Sequence, residues 1–125
     1  MLWEVEVTDE FKAWWNSLTL EEQIRIDAAV RFVEEHGPAL GRPHADTVKI
    51  SRHPNMKELR VQYEGRPYRI FFAFDPRRNA ILLIGGDKTG TGRFYETFVP
   101  LADRLYDEYL EDLRREGLID GENEI

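Results

Sequence analysis

The chain contains no cysteine, which excludes a disulfide framework, a thiolate metal site and a cysteine nucleophile. No run approaches about 18 consecutive apolar residues, and the opening Met1-Leu2-Trp3-Glu4-Val5-Glu6 has no basic stretch followed by an apolar one. Neither a membrane span nor a signal peptide is expected, and the reading is of a cytoplasmic protein with no membrane partner. Histidine is scarce: His36, His44 and His53 are separated by eight and nine positions, which matches no familiar zinc spacing. No metal and no other cofactor is expected. What the chain does have is core material, with 42% hydrophobic residues and three Trp, five Tyr and seven Phe among 125 residues. That is enough for one domain and argues against intrinsic disorder. The expected domain runs over residues 1–117, followed by an acidic, frayed tail at 118–125.

The net charge of -7 conceals a segregation. Residues 1–40 carry three Lys/Arg against nine acids, residues 41–95 eleven against five, and residues 96–125 three against ten. The middle is therefore a basic unit between two acidic ones. Attraction of a polyanion depends on local potential within a Debye length of about 8 to 10 Å, so distant acids do not exclude a nucleic-acid partner. The alternative is that the basic residues are solvated or neutralised within the fold.

Trp3, Val5 and Val7 alternate with Glu4 and Glu6, the period of a half-buried strand. Thr8 suits the cap of a first helix, and Thr19 to Glu22 has the spacing of a capping box that opens a second, which Gly37-Pro38 stops. Residues 37–47 read as loop and Val48, Lys49 and Ile50 as a short strand. Leu59, Val61 and Tyr63 then alternate against Glu58, Arg60 and Gln62, and after a turn Tyr68, Ile70, Phe72 and Phe74 alternate against Arg69, Phe71 and Ala73. Ala80 to Ile84 reads as a strand buried on both faces, and Pro100 as the first turn of a last helix. The expected fold is α+β, an antiparallel sheet of four to five strands with two N-terminal helices and a C-terminal helix, the helices on one face.

If Gly65 and Arg66 are the two loop residues of the hairpin, Tyr63 lies opposite Tyr68, Arg60 opposite Phe71 and Gln62 opposite Arg69. Arg60 and Arg69 are then diagonal neighbours, about 7 to 8 Å apart at the backbone. Two guanidinium groups side by side repel, and a phosphate relieves this directly. Solvation, or pairing with Glu58 or the acidic tail, relieves it as well. Because Arg69 points away from Tyr68 and Ile70, its removal is expected to spare the fold. The glycine-rich Gly85 to Gly92 lacks the order of a phosphate-binding P-loop and is not read as a nucleotide site.

The runs Gly41-Arg42-Pro43-His44-Ala45-Asp46-Thr47, Asn55-Met56-Lys57-Glu58-Leu59-Arg60, Tyr68-Arg69-Ile70-Phe71-Phe72, Ile84-Gly85-Gly86-Asp87-Lys88 and Phe94-Tyr95 together resemble the RelE/ParE toxin superfamily. Within it the resemblance is to the HigB-like, phage-related branch, and it covers nearly all of residues 1–110. The resemblance implies a RelE-like fold and a type II toxin that cleaves mRNA in the ribosome, without metal and restrained by a cognate helix-turn-helix antitoxin. Carried over residue by residue, it implies catalytic roles for Lys57, Arg60, Arg69, Lys88 and Tyr95. Arg69 would stabilise the scissile phosphate, Lys57 would transfer a proton or contact phosphate, and Tyr95 would stack on a base or act in acid–base chemistry. Lys49, Arg52, Phe71 and Arg93 are the expected RNA contacts. The ParE branch offers a different class of function, non-enzymatic inhibition of DNA gyrase, and an inactive phage-derived binding module is a third.

Overall fold

The computed structural model describes residues 2–90 and 92–120. The first strand, β1 (Val5–Val7), passes directly into α1 (Asp9–Asn16) through Thr8. The Thr8 hydroxyl accepts from the Phe11 backbone N–H at 2.9 Å and donates to the Leu83 carbonyl at 2.6 Å. One side chain thus caps the helix and ties it to the sheet. The capping box at Thr19 and Glu22 is present and opens α2 (Leu20–His36). That helix ends at Gly37, where φ is positive and where a Cβ would fall inside the Trp3 indole. A single 3-10 turn and β2 (Ala45–Thr47) follow, then β3 (Lys57–Tyr63), β4 (Arg66–Phe74), β5 (Ala80–Asp87) and α3 (Phe94–Arg115).

The sheet has the order β1-β5-β4-β3-β2. Strands β2 to β5 are antiparallel to their neighbours, and β1 adds in parallel against β5. The helices cover both faces rather than one. Ile26 and Val33 of α2 and Phe11 of α1 pack with Leu59, Val61, Tyr68, Ile70 and Phe72, whereas Val99, Ala102, Leu105 and Tyr106 of α3 pack with Phe71, Ala73, Ile81 and Leu83. The central strands β4 and β5 are apolar on both sides, so a single layer of helices would have left Phe71, Ala73 and Leu83 in water. Ile119 also packs against the α3 side. The acidic end expected to fray lies outside the described residues from position 121 onward.

Three local expectations shift. The strand expected at Val48 to Ile50 lies three residues earlier, as β2; the Val48 N–H still donates to the Met56 carbonyl at 2.9 Å, but Lys49 and Ile50 turn away into a loop. The last helix begins at Phe94, with Pro100 inside it. Its extra first turns are held by Phe94 and Phe98, whose rings stack at 4.5 Å and rest where a Cβ on Gly86 would come within 2.9 Å of them. Finally, the hairpin loop is Glu64-Gly65, both at positive φ. A two-residue loop with both residues left-handed matches the sheet twist, and it moves the pairing by two positions: Tyr63 faces Arg66, Val61 faces Tyr68 and Arg60 faces Arg69.

Candidate functional site

The corrected register sets Arg60 directly across from Arg69, on the face of β3 and β4 that α3 only partly covers. By the same alternation Glu58 shares that face, opposite Phe71. Its carboxylate is buried between the two arginines, 3.5 Å from Arg60 Nε and 3.7 Å from Arg69 Nε. The α3 start delivers Tyr95 to the same point. Its hydroxyl donates to Glu58 Oε1 at 2.6 Å and accepts from Arg69 Nε at 3.3 Å. Burial, and then the bond to Glu58, push the Tyr95 hydroxyl above the ordinary phenol range, so it stays protonated. Lys88, at the end of β5, places its Nζ 5.3 Å from the centre of the Tyr95 ring.

Four of the expected catalytic residues, Arg60, Arg69, Lys88 and Tyr95, therefore meet in one cluster. Lys57 does not join them: it pairs with Phe72 and shares the face of Leu59 and Val61, on the α2 side of the sheet. The expectation of two arginines without an acid between them gives way to a triad centred on Glu58. Sequence reasoning named Glu58 only as one possible partner. The alternation that puts Arg60 and Glu58 on one face is the available signal; the expected register kept Arg69 on that face but set it opposite Gln62 instead of Arg60.

Arg69 is mostly spent on the protein, since its Nη1 also donates to the Tyr68 carbonyl at 3.0 Å and the residue is 8% exposed. Arg60 is less committed. Its side chain is 31% exposed, and its buried Nε makes no hydrogen bond among the described residues. A cleft of about 280 Å³ opens beside Tyr95, lined by Ile50, Arg52, Val99, Pro100 and Asp103.

The expected RNA contacts are scattered. Lys49 is exposed in the loop after β2. Arg52 borders the cleft but holds Asp107 at 2.5 Å, and Arg93, at the start of α3, pairs with Glu96 at 3.1 Å. Phe71 has no exposed surface, lying under the Phe94 and Tyr95 rings, and so offers no platform for a base. Much of the basic middle of the chain is neutralised by the acidic blocks that flank it. Arg66 pairs with Glu22 of α2, Arg77 with Glu6 and the buried Asp75, and Arg52 with Asp107 of α3, which His53 also contacts at 2.7 Å. The charge that stays concentrated is the cluster around Arg60.

Residues 13–107 match the family described as "Phage derived protein Gp49-like (DUF891)". The chain belongs to that family. Two proteins of Mycobacterium tuberculosis (strain ATCC 25618 / H37Rv) are similar to it. "Putative toxin HigB2" is 46% identical over 110 residues, which is 86% of this chain and 54% of that protein. "Putative toxin HigB3" is 42% identical over 102 residues, 81% of this chain and 88% of that one. The chain spans about half the length of the first and most of the second, and as a Gp49-like protein it stands with the HigB-like relatives. Its α+β architecture is consistent with a RelE-like fold. Among the described residues no helix is long and apolar enough to cross a membrane.

Proposed function

We propose that this Gp49-like chain is the toxin of a toxin–antitoxin pair, and that it cleaves messenger RNA on the translating ribosome in the cytoplasm until a helix-turn-helix antitoxin restrains it. The observation that carries the reading is the facing of Arg60 and Arg69 across one hairpin, with Tyr95 and Lys88 beside them and a buried Arg60 donor unsatisfied. The names of the two mycobacterial relatives support the toxin class.

RNA brings its own nucleophile, the 2′-hydroxyl. The protein must align it with the phosphorus, take up its proton and offset the charge that develops on the phosphate. In this reading Arg60 and Arg69 hold the phosphate oxygens through charge-assisted hydrogen bonds. Glu58 accepts the proton of the 2′-hydroxyl as the new P–O bond forms. Tyr95 gives its proton to the departing 5′-oxygen and recovers one from Glu58 along the 2.6 Å bond between them. The products are a 2′,3′-cyclic phosphate and a 5′-hydroxyl. The cleft beside Tyr95 receives an unstacked base, as single-stranded RNA recognition requires.

Induced expression followed by mapping of RNA 5′ ends tests the reading. New 5′ ends inside translated messages are the expected result. An unchanged pattern of ends together with altered plasmid supercoiling would instead favour the gyrase inhibitor.

A further inference from the structure

Residues 48–56, which join β2 to β3, run over the surface but are fastened to α3 along most of their length. Val48 and Met56 are buried at the two ends. Between them, Asp103, Tyr106 and Asp107 on one face of α3 hold the loop. The Ser51 hydroxyl donates to Asp103 Oδ1 at 2.5 Å and the Arg52 backbone N–H to Asp103 Oδ2 at 3.1 Å. The Arg52 guanidinium and the His53 ring meet Asp107 at 2.5 and 2.7 Å, and the Asn55 amide donates to the Tyr106 hydroxyl at 3.1 Å.

Asp103 is the unusual member of this set, a carboxylate 4% exposed. Taking a carboxylate out of water is costly unless hydrogen bonds replace its hydration. Among the described residues, the hydrogen bonds to this one come from Ser51 and Arg52 alone. Both of its oxygens are thus committed to two consecutive residues of a surface loop. A buried apolar side chain would anchor a loop without fixing its orientation; two directed bonds to neighbouring residues fix both.

The residue so oriented is Ile50, which immediately precedes the fastened pair and is 65% exposed. It lines the cleft beside Tyr95, where the loop contributes Ile50 and Arg52 and α3 contributes Glu96, Val99 and Pro100. A β-branched side chain is stiff at its first torsion, so a backbone fixed next to Ile50 leaves its side chain little freedom. Apolar groups from two elements beside a tyrosine ring, with Arg52 and Glu96 at hand, suit a flat heterocycle. The faces of a nucleobase pack between apolar and aromatic side chains while its edges meet polar ones.

We infer that Ile50 is a specificity-determining contact to the base beside the cut, and that Asp103 is the positioning residue that holds Ile50 in the cleft. The inference deepens the nuclease reading of the same site and rests on it. Asp103 acts through Ser51 and Arg52 rather than on the RNA.

The test uses the full chain, programmed ribosomes and a pool of messages randomised around the mapped cut. The parent should cut with a preference for the base at one of these positions. Ile50→Ala should weaken that preference about tenfold and lower kcat/KM mainly through KM. Asp103→Asn, which has a single acceptor oxygen, should reproduce both effects at a temperature where circular dichroism shows it folded. Added to Ile50→Ala, it should weaken the preference little further, because the two residues act on one contact. Ile24→Ala, the same change at an exposed isoleucine of α2, should alter neither. A parent that cuts no message overturns the nuclease reading and this inference together. A parent that cuts without base preference, or whose Ile50→Ala variant keeps the parent's preference and KM, overturns this inference alone. Effects of Asp103→Asn that add in full to those of Ile50→Ala overturn the positioning role.

Discussion

Glu58 decides the behaviour of the residues around it. With Arg60, Arg69 and Tyr95 on one buried carboxylate, removing a partner leaves charge uncompensated, which costs more than the contact itself contributes. Arg69→Ala is therefore expected to lower stability by about 1–3 kcal/mol as well as abolish cleavage, contrary to the simpler expectation that the fold is spared. Thermal unfolding checks this, and Arg69→Ala combined with Glu58→Ala should recover part of the loss. Glu58→Gln should let the Tyr95 hydroxyl titrate at lower pH than in the parent, because the negative acceptor that raises it is gone while burial remains. Ring-carbon NMR of Tyr95 against pH reads that shift, and cleavage by the same variant should fall about 100-fold or more. The sequence made Arg60, Arg69, Lys88 and Tyr95 legible as candidates. The same alternation already sets Lys57 in phase with Leu59 and Val61, away from Glu58 and Arg60; its place among the expected catalytic residues came from the resemblance alone.

The elements were legible where a local signal is also the tertiary one. Thr8 and the Thr19–Glu22 box start helices by hydrogen bonds that are short in sequence, and both were readable. The loop Glu64-Gly65 was harder because a glutamate at positive φ is uncommon and its cost is met by strand pairing on both sides. The early start of α3 was hidden because Phe94 and Phe98 stabilise it by packing on the bare backbone of Gly86 in β5, a contact that helical periodicity does not report. Glu22 links local and long-range structure, for it completes the capping box and accepts from the buried Tyr68 hydroxyl beside Arg66. The Tyr68 hydrogen bond, followed by those from Thr19, holds the Glu22 carboxyl below its ordinary range. A carboxyl so depressed stabilises the fold above its unfolded pKa of about 4.3 and loses that contribution as pH falls through the lower folded value. Glu22→Gln should thus unfold earlier than the parent at pH 7, by about 1–2 kcal/mol. The difference in melting temperature should narrow toward pH 3.

For the whole molecule, segregation of charge along the chain proved to be mostly a folding device. Arg52, Arg66 and Arg77 meet acids from the two ends, and what remains concentrated is a small cationic cluster at one edge of α3. An antitoxin that covers that cluster should present acidic side chains, and its association rate should fall with added salt more than its affinity does, which stopped-flow binding at two ionic strengths measures. In the proposed reaction the Arg60 and Arg69 cluster directs a 2′-hydroxyl against its own phosphate. Purified protein, programmed ribosomes and a message with a single 2′-deoxynucleotide at the mapped cut position test it most directly. The expected result is cleavage of the all-ribose message to a 2′,3′-cyclic phosphate and none at the deoxy position. Equal cleavage of both messages, or cleavage of neither, would contradict it.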